Sequence, residues 1–146
     1  MDLATLEPAE GATIPLRHPV SNEPLMHDTG KKDAQGNPVL EPITVDIVGV
    51  DSPRFQARQR MLTNKRLATA GNRKSKLTAE DLEEEGIVTV AACITGWSAN
   101  IELDGKPLEF SRSNAKLLIT RLRWIGEQID LAIADRANFL KASPTN

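Results

Sequence analysis

An α+β fold, mainly α, is predicted by the order of signals along this 146-residue chain. The expected architecture is an N-terminal β-hairpin or meander, then about four helices, with a short turn or hairpin after Trp97. Three observations carry that prediction. Six of the nine prolines lie in residues 1–50, with Pro53 just beyond; each removes a backbone donor and fixes φ, which excludes long helices there. Residues 43–48 set β-branched Ile43, Val45, Ile47 and Val48 among Thr44 and Asp46, the pattern of a half-buried strand. From Asp51 onward, caps and apolar steps of three and four residues take over.

The elements follow in order. Short apolar runs at residues 14–16 and 25–26 flank Asp28 to Pro38, a polar stretch of turn formers that reads as a loop with a flexible tip. Ser52 and Pro53 supply a cap hydroxyl and a first-turn proline for a helix running to about Ala70, stopped by Gly71 and Asn72. Its apolar stripe is thin: Phe55, Met61, Leu62 and Leu67. Thr78 opens a second helix, with Asp81 at the spacing of a capping box and an acidic run from Glu80 to Glu85 suited to the positive end of the dipole. Ile87, Val90, Ile94 and Trp97 are expected to form its buried stripe, with a bend at Gly86 or Gly96. Asp104-Gly105 signals a hairpin turn, limited by Pro107. Ser111 caps a helix carrying Ala115, Leu118, Ile119 and Leu122; a last helix from Arg123 carries Ile125, Ile129, Ala132, Ile133, Arg136 and Leu140 on one stripe. The expected division is a β element over residues 1–50 with loop 28–38, a helical part over 51–142 and a frayed tail at 143–146, all within one structural domain. The expected core gathers Ile87, Val90, Ile94, Trp97, Leu118, Ile119, Leu122, Ile125, Ile129 and Ile133.

Composition narrows the function classes. A formal charge of −2 argues against bulk-charge binding of nucleic acid. The single cysteine excludes an internal disulfide. The N-terminus lacks the basic and apolar regions of a secretory signal, and no window resembles a membrane span, so a soluble, intracellular chain is expected. His18, His27 and Cys93 are too few and too scattered for a zinc site. Phosphate-binding glycine loops are missing, so neither cofactor nor catalytic constellation is expected. The acidic run reads as a solvated helix start. Eight Lys or Arg and no acid lie between Arg54 and Lys76; that helix is either a solvated or partner-binding face or, less consistently with the adjacent acids, a nucleic-acid contact. Trp97 reads as a core anchor, while Trp124 suits core or partner surface equally.

Residues Ala91, Ala92, Cys93, Ile94, Thr95, Gly96 and Trp97, then Asp104 to Ser111, Asn114-Ala115, Trp124 to Asp130 and Ala134 to Leu140 form a recognisable set. With His18-Pro19, Glu23-Pro24-Leu25 and Val48 to Pro53, they resemble tail assembly chaperones encoded in the tail-gene clusters of long-tailed bacteriophages and prophages, over about residues 14–141. One departure is Arg123, where such sequences often carry proline, which leaves open a single bent helix across the last two. The resemblance implies a non-enzymatic protein that holds the tape-measure protein, and in some cases tail tube subunits, before the tube polymerises. It also implies self-association or pairing with a longer frameshifted form, which would begin after Phe139, Leu140 and Lys141. Arg54, Phe55, Arg58, Leu62 and Trp124 are the expected partner contacts. The alternatives are a structural virion protein (decoration, tube-associated or connector component) and a nucleic-acid-binding regulator using the helix from Arg54 to Lys76.

Overall fold

The computed structural model describes residues 1–70 and 77–140. The proposed stop at Gly71-Asn72, the cations Arg73, Lys74 and Lys76, and the tail at 143–146 lie outside the described residues. The fold is α+β, mainly α, with four helices and an N-terminal antiparallel sheet. Strands β1 (Gly11–Pro15), β2 (Met26–Lys32), β3 (Pro38–Pro42) and β4 (Thr44–Val48) precede helices α1 (Pro53–Thr69) and α2 (Ala79–Ala92). Strands β5 (Ile94–Trp97), β6 (Glu102–Leu103) and β7 (Lys106–Pro107) follow, and helices α3 (Arg112–Arg121) and α4 (Arg123–Ala134) close the order.

β4 is the centre of a three-stranded antiparallel sheet in the order β1-β4-β5. Its register opposes Ile14 to Val45 and Ala12 to Ile47, so these four side chains share one face. That face joins Val90, Ala91, Leu118, Ile119, Ile125, Ile129 and Ile133 of the helices in a single core cluster. Val45, Ile47 and Ile129 are fully buried. Of the ten expected core residues, Ile87, Trp97 and Leu122 are only partly buried and the other seven are buried. The sheet contributes core members the helical periodicity did not name, Ile14, Val45, Ile47 and Val48, and Leu16 joins them just past the end of β1.

Three expectations are corrected. The stripe assigned to the second helix does not continue through Ile94 and Trp97. The chain leaves α2 at Cys93 and enters β5, which pairs with β4 through Val45–Trp97, Asp46–Gly96 and Ile47–Ile94. The β-branched pair Ile94-Thr95 and the open edge of β4 favour a ladder over another helical turn, and Ile94 reaches the same core from the strand. Gly96 therefore bends no helix; a Cβ there would stand 3.1 Å from the Asp46 carboxylate.

The polar stretch at 28–38 is shorter as a loop than expected. Residues up to Lys32 belong to β2, which pairs with β3, and the turn is Asp33 to Asn37, where the Asp33 carboxylate accepts from the Gln35 and Asn37 amides. β2 lacks a buried residue, and its half-buried positions are the polar His27 and Thr29, so the apolar alternation that betrays a half-buried strand is absent from its sequence.

Arg136 and Leu140 do not extend the α4 stripe. Asp135 (φ −89°, ψ 100°) ends the helix and its carboxylate accepts from the Ala137 amide, starting a 3-10 turn over Arg136–Asn138. Phe139, 3% exposed, then turns into the core beside Gly49.

The caps are as read. Ser52 accepts from the Phe55 amide, Thr78 and Asp81 form a reciprocal capping box, and Ser111 accepts from the Asn114 amide. α3 and α4 are separate helices, because Leu122 at φ −114° and ψ 82° breaks the ladder between them. Asp104 (φ 55°) and Gly105 (φ 76°) form the two-residue turn between β6 and β7, which needs positive φ at both central positions.

Candidate protein-docking groove

Successive residues on a helix point about 100° apart, so an acidic run aims its carboxylates in different directions. α2 uses this to tie three helices together. Glu83 pairs with Arg123 of α4 at 3.5 Å, Glu84 with Lys116 of α3, and Glu85 with Arg66 of α1 at 2.9 Å. Glu85 is only 8% exposed, and Lys65 stands 3.9 Å from its other oxygen. The run is therefore a clamp as well as a helix start, which corrects the purely solvated reading.

On the side of α2 away from α1, the helices leave a groove of about 250 Å³ between α2, α3 and α4. Ile87, Val90 and Ile119 form an apolar floor, with Gly86 of α2 and Gly126 of α4 keeping it low. A Cβ at Gly86 would meet nothing within 4 Å, whereas one at Gly126 would stand 3.3 Å from the Ile119 Cβ. Gly86 therefore faces open space, and Gly126 is a packing contact between α4 and α3. The rim holds Glu83, Glu127 and Asp130 against the single cation Arg123. Because Glu83 is paired with Arg123, the excess negative charge lies on Glu127 and Asp130, three residues apart on α4 and without an ion pair among the described residues.

The residues expected to contact a partner are scattered around this arrangement. Arg54 donates to the Ala92 carbonyl at 3.3 Å and Arg58 to the Thr89 hydroxyl at 3.2 Å, so both hold α1 against α2. Leu62 is the buried residue of α1, and Phe55 is partly buried against the core. Trp124 is partly buried against the same core from α4. Four of the five described α1 cations thus engage α2. Trp97 is partly buried; its indole N–H donates to the Leu108 carbonyl at 2.8 Å, and its ring meets Phe110 edge-on at 5.2 Å.

His18 Nδ1 accepts from the Val20 and Ser21 amides in an exposed turn, and His27 lies on β2. Among the described residues there is no group of three or more His, Cys, Asp or Glu side chains that could hold a metal ion. Burial pushes the Cys93 thiol up to about 11. No helix of the described residues is long and apolar enough to cross a membrane.

Sequence reasoning missed the groove. Its one legible trace was the pair of glycines inside amphipathic helices, of which Gly86 was read as a bend and Gly126 not singled out. Glu127 and Asp130 stand one turn apart beside the isoleucine stripe, but only the packing of α2 against α4 turns that spacing into a rim. Comparison with family models, curated proteins and solved structures finds no match to this chain.

Proposed function

We propose that this chain is a non-enzymatic holder of a helical polypeptide, acting as a phage tail assembly chaperone for the tape-measure protein in the host cytoplasm. The observation that carries the holding role is the groove between α2, α3 and α4, with an apolar floor and a charged, solvated rim. Such a surface recognises an amphipathic helix through its apolar face and leaves the partner's polar face wet, so that release needs no unfolding. The assignment of the client rests on the resemblance carried by residues 14–141. A tape-measure protein is long and helical, and its unassembled apolar seams favour aggregation unless covered.

Co-expression tests the reading. The tape-measure protein from the same gene cluster is expected to move from the pellet to the soluble fraction when this chain is present and to co-purify with it. Unchanged solubility with both proteins well expressed refutes it. Mass spectrometry of purified particles is expected to find this chain at trace level; stoichiometric amounts would favour a structural virion component.

A further inference from the structure

We propose that the groove between α2, α3 and α4 binds a partner's α-helix that presents two basic side chains one turn apart beside a face of small and apolar residues. This deepens the holding role proposed above and rests on it. The groove walls are helices whose backbone groups are already bonded within each helix, so the walls offer no ladder to an extended strand. An extended peptide would leave its own amides unpaired over Ile87, Val90 and Ile119, whereas a helix satisfies them internally. The groove, rim included, runs from Glu83 to Val90 along α2, about 10 Å at helical rise, the length of two turns of an incoming helix. Gly86 lets that helix approach closely, so its own side chains there must be small or apolar.

Charge then selects the partner. Three carboxylates face one guanidinium at the rim, and Glu127 and Asp130 are separated by one helical turn. Lys or Arg at positions i and i+3 or i+4 of the incoming helix matches that separation. A second copy of this chain is the poorer occupant. Its basic helix α1 has four of five described cations already engaged with its own α2, so freeing them would break bonds the fold uses.

The probe is a pair of labelled helical peptides of about 18 residues. One carries Lys at i and i+3 beside an Ala/Leu face, and the other carries Glu at the same positions. Fluorescence anisotropy with the full chain is expected to show the Lys peptide binding at least about tenfold more tightly, with the preference shrinking at about 0.5 M salt. The exposed double variant E127K/D130K is expected to reverse the preference. Gly86→Leu, which fills open space and replaces a helical glycine, is expected to weaken Lys-peptide binding by about tenfold or more while Tm holds or rises.

Equal binding of the two peptides, full binding by Gly86→Leu, or a self-associated wild type that Gly86→Leu turns monomeric would each overturn the proposal. The co-expression assay separates its failure from that of the chaperone reading. If Gly86→Leu keeps the tape-measure protein soluble as well as wild type does, the groove assignment falls and the chaperone reading stands. If wild type binds the Lys peptide and leaves tape-measure solubility unchanged, the chaperone reading falls and the groove assignment stands.

Discussion

Replacing Gly49 by alanine places a methyl group 2.9 Å from Cδ2 and Cε2 of the Phe139 ring and 3.1 Å from its Cζ. Ordinary carbon contacts begin near 3.5 Å, so the ring would have to retreat by about half an ångström or more. It has little room to do so. Phe139 is 3% exposed, and its segment is fixed on both sides: the Ala9 amide donates to the Phe139 carbonyl at 2.7 Å, and Arg136 grips Asp51 through two hydrogen bonds. Overpacking of this kind costs about 1–3 kcal/mol, which for a chain of this size lowers Tm by roughly 3–10 °C.

The assay is urea denaturation of wild type, Gly49→Ala, Phe139→Leu and the double variant. Phe139→Leu destabilises on its own by leaving a cavity but removes the ring atoms the methyl would strike. In that background Gly49→Ala is expected to cost almost nothing, giving a coupling of about 1–3 kcal/mol. If the two single effects add to within about 0.5 kcal/mol, the clash is not what constrains Gly49 and the reasoning is wrong.

Four further outcomes are expected. Cys93, fully buried and with its thiol pushed up to about 11, should resist iodoacetamide at about pH 8 in the native state and react promptly in denaturant, as followed by mass spectrometry. The Arg136 guanidinium holds the Asp51 carboxyl below the usual aspartate range, so its stabilising contribution is present above that range and fades as pH falls through the depressed value. Asp51→Asn should therefore cost stability near neutrality, and the gap from wild type should narrow in melts taken as the pH is lowered through and below the ordinary aspartate range. Gly86→Ala should raise stability by about 0.5–1 kcal/mol, because its Cβ enters open space within a helix; a fall in Tm would contradict the position of that glycine. Leu62→Ala should cost about 2–3 kcal/mol and should loosen α1 first in amide hydrogen exchange, since Leu62 is the buried side chain of that helix.

Local signals were read where they are local. The caps at Ser52, Thr78 and Ser111 rest on side chains and backbone groups within a few residues of one another, so their chemistry is visible in sequence, whereas the break before Arg123 has no side-chain cap and the sequence leaves a single bent helix open there. β4 announced itself because Val45 and Ile47 face the core while Thr44 and Asp46 do not. β2 did not, because its half-buried positions are the polar His27 and Thr29, so the two-residue period of its exposure carries no apolar signal. The site was less legible than the fold. Arg54 and Arg58 looked like a face for a partner but hold α1 on α2, and the acidic run looked solvated although Glu85 is nearly covered.

By itself, then, the sequence determined the order and type of most elements, since capping, proline geometry and apolar period act over one or two turns of chain. Only the tertiary structure decided that Ile94 to Trp97 would leave a helical stripe and complete the sheet at β4, because an unpaired strand edge is a property of distant residues. The same holds for the groove. Glu83, Gly86, Glu127 and Asp130 line one groove because α2 and α4 pack side by side, a juxtaposition set by long-range burial that no local spacing encodes.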